Sequence, residues 1–189
     1  NPFSGGNHVT KRRFMEKLKA GSPAPAFEAT DQDANKRTLA DYAGRKLILY
    51  FYPKDNTPGC TAEACSLRDG RDELREMGFE VVGVSPDSEK SHRGFIEKQG
   101  LNFTLLSDPD KVVAKAYGVW GEKKFMGRTF MGILRTTFVI DEKGMIERVL
   151  DKVRTKDHFE QIVEAYKCCL LYTSDAARTR ERRLPATFG

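Results

Sequence analysis

The run Lys46-Leu-Ile-Leu-Tyr-Phe-Tyr52, halted by Pro53 and the turn cluster Asp55-Asn-Thr-Pro-Gly59, constrains the fold more than any other segment. A short continuous apolar stretch is the pattern of a strand covered on both faces, because a strand wet on one side would alternate. Proline and the turn residues then send the chain out of the sheet. From Thr61 to Met77 the apolar positions Ala64, Leu67, Leu74 and Met77 recur at helical spacing, with Gly78 as a stop. Strand, turn and helix in that order open a parallel crossover unit.

The alternation continues down the chain. Phe79 to Val84 reads as a strand, Ser88 to Gln99 as a helix ended by Gly100, and Phe103 to Leu106 as a short strand. Val112 to Tyr117 fits one or two helical turns. Thr136-Thr-Phe-Val-Ile-Asp141 and Met145 to Leu150 flank Glu142-Lys-Gly144, the pattern of a hairpin. Asp157 to Lys167 closes with a helix that carries Phe159, Ile162, Val163 and Tyr166 on one side. An N-terminal β-hairpin is expected around Phe27 to Thr38. Parallel units followed by an antiparallel hairpin predict one α/β domain, a mixed central β-sheet flanked by helices.

The two ends depart from this pattern. Residues 1–14 are rich in Gly, Asn and Lys/Arg, Met15 reads as a start, and residues 168–189 turn to a Ser/Thr/Ala/Arg/Pro mixture. The leader has no periodicity, and the tail cannot bury enough apolar surface to offset its ordering entropy. The organisation expected is a non-native or disordered leader over 1–14, a folded domain over 15–167 and a non-native or disordered tail over 168–189. The formal charge of +5 divides into +3 on the leader and +2 on the tail, which leaves 15–167 neutral. A nucleic-acid groove gathers basic residues on one face, and here they gather only at the ends. No stretch nears the ~18 apolar residues of a membrane span, and Asn1 to Leu18 lack a signal-peptide core. These features point to a cytoplasmic protein that binds neither nucleic acid nor membrane.

The chemistry lies where the first buried strand meets its helix. Thr57 suits an N-cap, Pro58 the first helical position, and Gly59 lets a ligand approach the backbone. Cys60 then falls in the first turn, where unpaired N–H groups and the helix dipole favour thiolate over thiol. Cys65 follows five residues later. Five helical residues rise ~7.5 Å and turn ~500°, which places the Cα atoms roughly 8–9 Å apart on different faces. Disulfides rarely bridge more than ~7 Å. Either the two cysteines never pair, or the working cycle unwinds this helix locally. Cys168 and Cys169, adjacent at the edge of the tail, are given no role.

Pro53-Lys-Asp-Asn-Thr-Pro-Gly-Cys60 matches the P-x-x-x-T-x-x-C signature of peroxiredoxins. Its extension Cys60-Thr-Ala-Glu-Ala-Cys65 resembles the bacterioferritin comigratory protein, or peroxiredoxin Q, branch. The resemblance spans Met15 to Lys167 and includes Asn102-Phe-Thr-Leu-Leu-Ser-Asp108, Tyr117-Gly-Val-Trp-Gly-Glu-Lys123 and Gly132-Ile-Leu-Arg-Thr-Thr-Phe-Val-Ile-Asp141. It implies a thioredoxin-like fold and a thiol-dependent peroxidase of the atypical two-Cys kind. Such an enzyme serves antioxidant defence and cell redox homeostasis, acting on hydrogen peroxide and organic hydroperoxides. In that pattern Cys60 is the peroxidatic cysteine and becomes a sulfenic acid. Cys65 is the resolving cysteine of the redox-active centre, and the resulting disulfide bond is reduced by thioredoxin or a similar thiol. Thr57 would offer its hydroxyl to the sulfur or the peroxide. Arg135 would supply a fixed positive charge, and Pro53 would shield the sulfur from water. The implied protein is a monomer without cofactor or metal.

Other candidates carry less. His8, His92 and His158 are scattered, none at a metal-ligand spacing from Cys, Asp or Glu. Gly83, Gly94 and Gly100 form no phosphate-cradling motif. Trp120 and the aromatic strands read as packing. Two rival functions remain. A thiol–disulfide oxidoreductase resembling thioredoxin would carry Cys-x-x-Cys and a proline where Thr136 stands, and this chain has neither. A non-catalytic redox sensor would transmit the Cys60–Cys65 state to a partner by the same local melting.

Overall fold

The apolar run at 46–51 lies in the middle of a seven-stranded sheet, with side chains packed against both of its faces. The structure, a computed structural model, describes residues 18–167. The expectations for the 1–14 leader, for Met15, for Cys168 and Cys169 and for the tail fall outside those residues. In chain order come β1 (Glu28–Asp31), β2 (Lys36–Thr38), a 3-10 turn (Leu39–Tyr42) and β3 (Lys46–Phe51). Next are α1 (Pro58–Asp69), α2 (Arg71–Glu76), β4 (Phe79–Ser85), α3 (Glu89–Gln99), β5 (Thr104–Ser107) and α4 (Val112–Ala116). The strands β6 (Trp120–Phe125), β7 (Arg128–Ile133), β8 (Thr136–Ile140) and β9 (Ile146–Leu150) follow, and the helix α5 occupies 158–167.

The sheet runs β2-β1-β5-β4-β3-β8-β9. β3 pairs parallel with β4 and β4 with β5, while β8 and β9 add antiparallel beyond β3 and the β1–β2 hairpin caps the far edge. The mixed sheet and the N-terminal hairpin are as expected. Strand periodicity sends Leu47, Leu49 and Phe51 to one face and Ile48, Tyr50 and Tyr52 to the other. The first set packs with Tyr42, Val113, Tyr117 and Phe138. The second packs with Leu67, Leu74, Phe95 and Ile162 from α1, α2, α3 and α5. Burying each such side chain contributes roughly 1.5–3 kcal/mol, so the run could not tolerate polar alternation on either side.

Two expectations are corrected. The single helix over 61–77 is two helices broken at Gly70, which leaves helical geometry at φ −89°, ψ 2°. A Cβ at Gly70 would overlap the Phe159 ring, so α5 packs an aromatic directly onto that backbone. Local periodicity carries no sign of this partner, which lies some ninety residues away. The second correction is the β6–β7 ribbon, a separate two-stranded sheet turned by Met126 and Gly127 at φ 49° and 76°. Two left-handed residues suit a tight hairpin turn. Its charged, mostly exposed residues hid the strand pattern. The ribbon returns the chain to β8 and so delivers Leu134 and Arg135 to the end of the central sheet.

Candidate active site

β3 ends at Phe51 and the chain turns through Pro53 to Thr57 into the N-terminus of α1. Pro58 takes the first helical position, as its fixed φ and missing N–H suit. Thr61 N–H is the first to bond back in the helix, to Thr57 O at 2.8 Å. The N–H groups of Gly59 and Cys60 therefore have no intrahelical acceptor. Cys60 lies in the same turn at 1% exposure, in one buried cluster with Tyr50, Ala64 and Val139.

Arg135 comes to this sulfur from the other side, between β7 and β8. Its Nη2 donates to Cys60 Sγ at 3.2 Å and its Nη1 donates to Glu63 Oε2. Nη2 also lies 3.5 Å from where a Gly59 Cβ would be, so the guanidinium covers the open backbone at the helix start. A fixed cation thus meets the sulfur at a helix start whose first N–H groups lack intrahelical acceptors. The arrangement stabilises negative charge there and on an oxygen leaving from it.

Thr57 holds the N-cap position with extended backbone (φ −87°, ψ 152°), yet its hydroxyl caps no helix N–H. It donates instead to Lys54 O at 2.9 Å and closes the loop on itself, leaving its oxygen lone pairs as acceptors. Pro53 is half-buried beside this loop. Cys65 lies on another face of α1, half-buried, its Sγ 3.7 Å from Gln99 Oε1 at the end of α3. Among the described residues both cysteines are free thiols. Arg135 thus meets Cys60, while Cys65 faces α3 from another side of the wound helix.

Three further side chains belong to the site; from sequence His158 counts only as a scattered histidine, and Glu63 and Lys123 carry no role of their own. Glu63, one turn after Cys60, is fully buried, and its Oε1 has no hydrogen-bond partner. Burial lifts its pKa to about 7 against the opposing pull of Arg135. His158 of α5 stands behind it, Nε2 at 3.7 Å from Glu63 Oε1 and 2.8 Å from Thr137 Oγ1. Burial pushes His158 down to about 4, which keeps its imidazole neutral. Lys123 of β6 is held below the usual lysine range by burial and by the nearby Arg135. It lines, with Arg135, Leu134, Thr136 and Tyr117, a cleft of about 370 Å³. An acid one helical turn after the cysteine was the legible signal for Glu63. The approach of His158 and Lys123 had none.

The sequence profile of the AhpC/TSA family matches residues 20–149. A Haemophilus influenzae protein bearing the peroxiredoxin bcp name is 53% identical over 150 residues, covering 79% of this chain and 97% of its own length. Peroxiredoxin Bcp of Escherichia coli K12 is 48% identical over 153 residues, 81% of this chain and 98% of its own. The Xanthomonas campestris bacterioferritin comigratory protein, solved in work on its alkyl peroxide reduction activity, superposes with a TM-score of 0.73 at 35% identity. That superposition covers 79% of this chain and 98% of that one. A cysteine-to-serine mutant of Xylella fastidiosa PrxQ reaches a TM-score of 0.75 at 33% identity, over 81% and 98% of the two chains.

Proposed function

The chain belongs to the AhpC/TSA family, in the branch of Bcp and peroxiredoxin Q, and from that membership we propose that it is a thiol-dependent peroxidase working through Cys60. The observation that carries the reading is Arg135 Nη2 at 3.2 Å from a buried Cys60 Sγ at a helix N-terminus. The sulfur attacks one peroxide oxygen, the O–O bond breaks, and the departing oxygen takes a proton to leave as water or an alcohol. Arg135 offsets the negative charge as it passes from sulfur to oxygen. Thr57, whose oxygen can still accept, receives a hydrogen bond from the peroxide O–H. Pro53 keeps water from the sulfur side of the loop.

Cys60 is then a sulfenic acid. The Cys65 thiol attacks it, an S–S bond forms, and water leaves. The ~8–9 Å helical separation must close below ~7 Å first, so the start of α1 unwinds during this step. A thiol reductant of the thioredoxin type exchanges with the disulfide and restores both thiols, which suits a monomer working in the cytoplasm, where such thiols are maintained. Hydrogen peroxide and organic hydroperoxides are the substrates. The test is peroxide consumption with thioredoxin, its reductase and NADPH, wild type beside Cys60→Ser. Turnover lost in the folded variant is expected. Turnover retained would remove Cys60 from the chemistry, and no turnover in wild type would return the protein to a redox-sensing role.

A further inference from the structure

Outside the Cys60 cluster, a second set of buried polar groups converges on one residue of the loop that leads into α1. Asp55 is 4% exposed. Its Oδ1 accepts from Tyr52 Oη at 2.6 Å, and its Oδ2 accepts from Ser91 Oγ at 2.8 Å and lies 2.8 Å from His92 Nδ1. Its backbone N–H donates to Asp87 Oδ2 at 2.8 Å, an oxygen that also takes Ser85 Oγ at 2.7 Å. The ends of β3 and β4 and the first turn of α3 thus hold one loop residue by both its backbone and its side chain.

His92 has no exposed surface, and each of its ring nitrogens faces an oxygen. Nδ1 faces Asp55 Oδ2, and Nε2 lies 3.0 Å from the carbonyl oxygen of Leu106 in β5. A backbone carbonyl can only accept, and both Asp55 carboxylate oxygens already accept, from the Tyr52 and Ser91 hydroxyls. A neutral imidazole carries one N–H and would leave one of these contacts as two facing lone pairs. Only the imidazolium donates to both. The other groups around it are the hydroxyl of Tyr52, just after β3, at 3.5 Å from Nδ1, and Ser91, Glu89 and Arg93 on its own helix.

We infer that His92 is a buried imidazolium whose two hydrogen bonds lock the Asp55 loop to β5, position Cys60 against Arg135, and set the upstream limit of the unwinding of α1. Little slack separates Asp55 from the helix. Asn56 is in the left-handed region at φ 59°, and the Thr57 hydroxyl is tied back to Lys54 O. Where Asp55 sits therefore decides where the Cys60 sulfur sits, while Arg135 comes from the separate connection between β7 and β8. When the start of α1 opens, the ion pair and its hydroxyl partners remain, because none of them lies in α1. His92 is a positioning residue. It does not touch the sulfur, and its effect on the reaction rests on the peroxidase reading.

The test has one arm that needs no peroxide chemistry. In ¹⁵N-labelled protein, both His92 ring nitrogens are expected to carry protons at neutral pH, in the reduced form and in a disulfide form made with diamide. One protonated and one bare nitrogen would overturn the imidazolium. Hydrogen exchange of that disulfide form should quicken across 60–69 while the Asp55 amide stays protected; exchange spreading through Asp55 in wild type would overturn the limit. His92→Gln, which cannot serve both acceptors, should slow Cys60 oxidation by roughly 10- to 100-fold through misplacement alone. It should also let exchange in the disulfide form spread to Asp55. A variant with an unchanged oxidation rate and a protected Asp55 amide would refute the positioning role. If that variant fails to fold, the two wild-type measurements still decide the matter.

Discussion

Replacing Glu63 by Gln should remove a pH dependence that belongs to α1 and not to the protein as a whole. Glu63 is fully buried between the two cysteines of α1, with one carboxylate oxygen on Arg135 and the other without a hydrogen bond, 3.7 Å from His158 Nε2. Burial raises it from 4.5 to about 7. An acid whose folded-state pKa is raised holds its proton longer when folded, so its contribution to stability is complete below 4.5 and is lost as pH rises through about 7. Between pH 5 and pH 8 that loss amounts to roughly 2–3 kcal/mol, or on the order of 50- to 100-fold in an opening equilibrium. His158 works with the opposite sign, since burial lowers it from 6.5 to about 4 and its penalty fades as pH rises across that window. Global unfolding releases both groups, and the two slopes oppose one another where they overlap. Local opening of α1 releases Glu63 alone, because His158 stays with α5.

The assay is native-state hydrogen exchange of the amides from Ala64 to Leu67, corrected for the pH dependence of chemical exchange. Wild-type protection should fall by that factor between pH 5 and pH 8, and the global melting temperature should move far less. Glu63→Gln keeps an acceptor for Arg135 and should show no such fall. Equal slopes in both proteins, or wild-type protection that rises with pH, would refute the reasoning. Since resolution needs this opening, overoxidation of Cys60 by excess peroxide should also be more frequent at pH 5.

Three other outcomes follow from the same geometry. Arg135→Lys loses the planar fork that reaches Cys60 and Glu63 together, and stopped-flow measurement should find Cys60 oxidation slowed by at least about tenfold, a ~1.4 kcal/mol effect. Cys65→Ser should complete the first oxidation and stall at sulfenic acid, read by trapping with dimedone and by accumulation of sulfinic acid. A Cys60–Cys65 disulfide missing from peptide maps of peroxide-treated wild type would remove the resolving role. Gly70→Ala would gain about 0.4–1 kcal/mol by restricting the unfolded chain, but its methyl would run into the Phe159 ring. Overpacking costs roughly 1–3 kcal/mol, so the melting temperature should fall, and a rise would show that Phe159 can move aside without penalty.

The site was legible in parts. The strand, turn and helix that present Cys60 are contiguous in the chain, and Thr57, Pro58 and Gly59 act through their own backbone preferences. Arg135 was identified only through the resemblance, because a lone arginine far down the chain has no local property that marks its target. Thr57 shows the limit from the other side. Its residue type suits a cap, but the hydroxyl has several acceptors within reach, and loop geometry turned it to Lys54 O.

What the sequence determined by itself is whatever depends on near neighbours. The buried run 46–52 had to be a doubly covered strand, and the turn after it had to place a cysteine at a helix start, because periodicity, proline and dipole act over a few residues. What the tertiary structure alone decided is whatever depends on partners brought from afar. Phe159 broke a continuous helical pattern at Gly70, the β6–β7 ribbon carried Arg135 to the sulfur, and burial beneath α5 raised Glu63. Desolvation and close packing depend on which surfaces meet, and that is set only once the sheet order and the helix placements are complete.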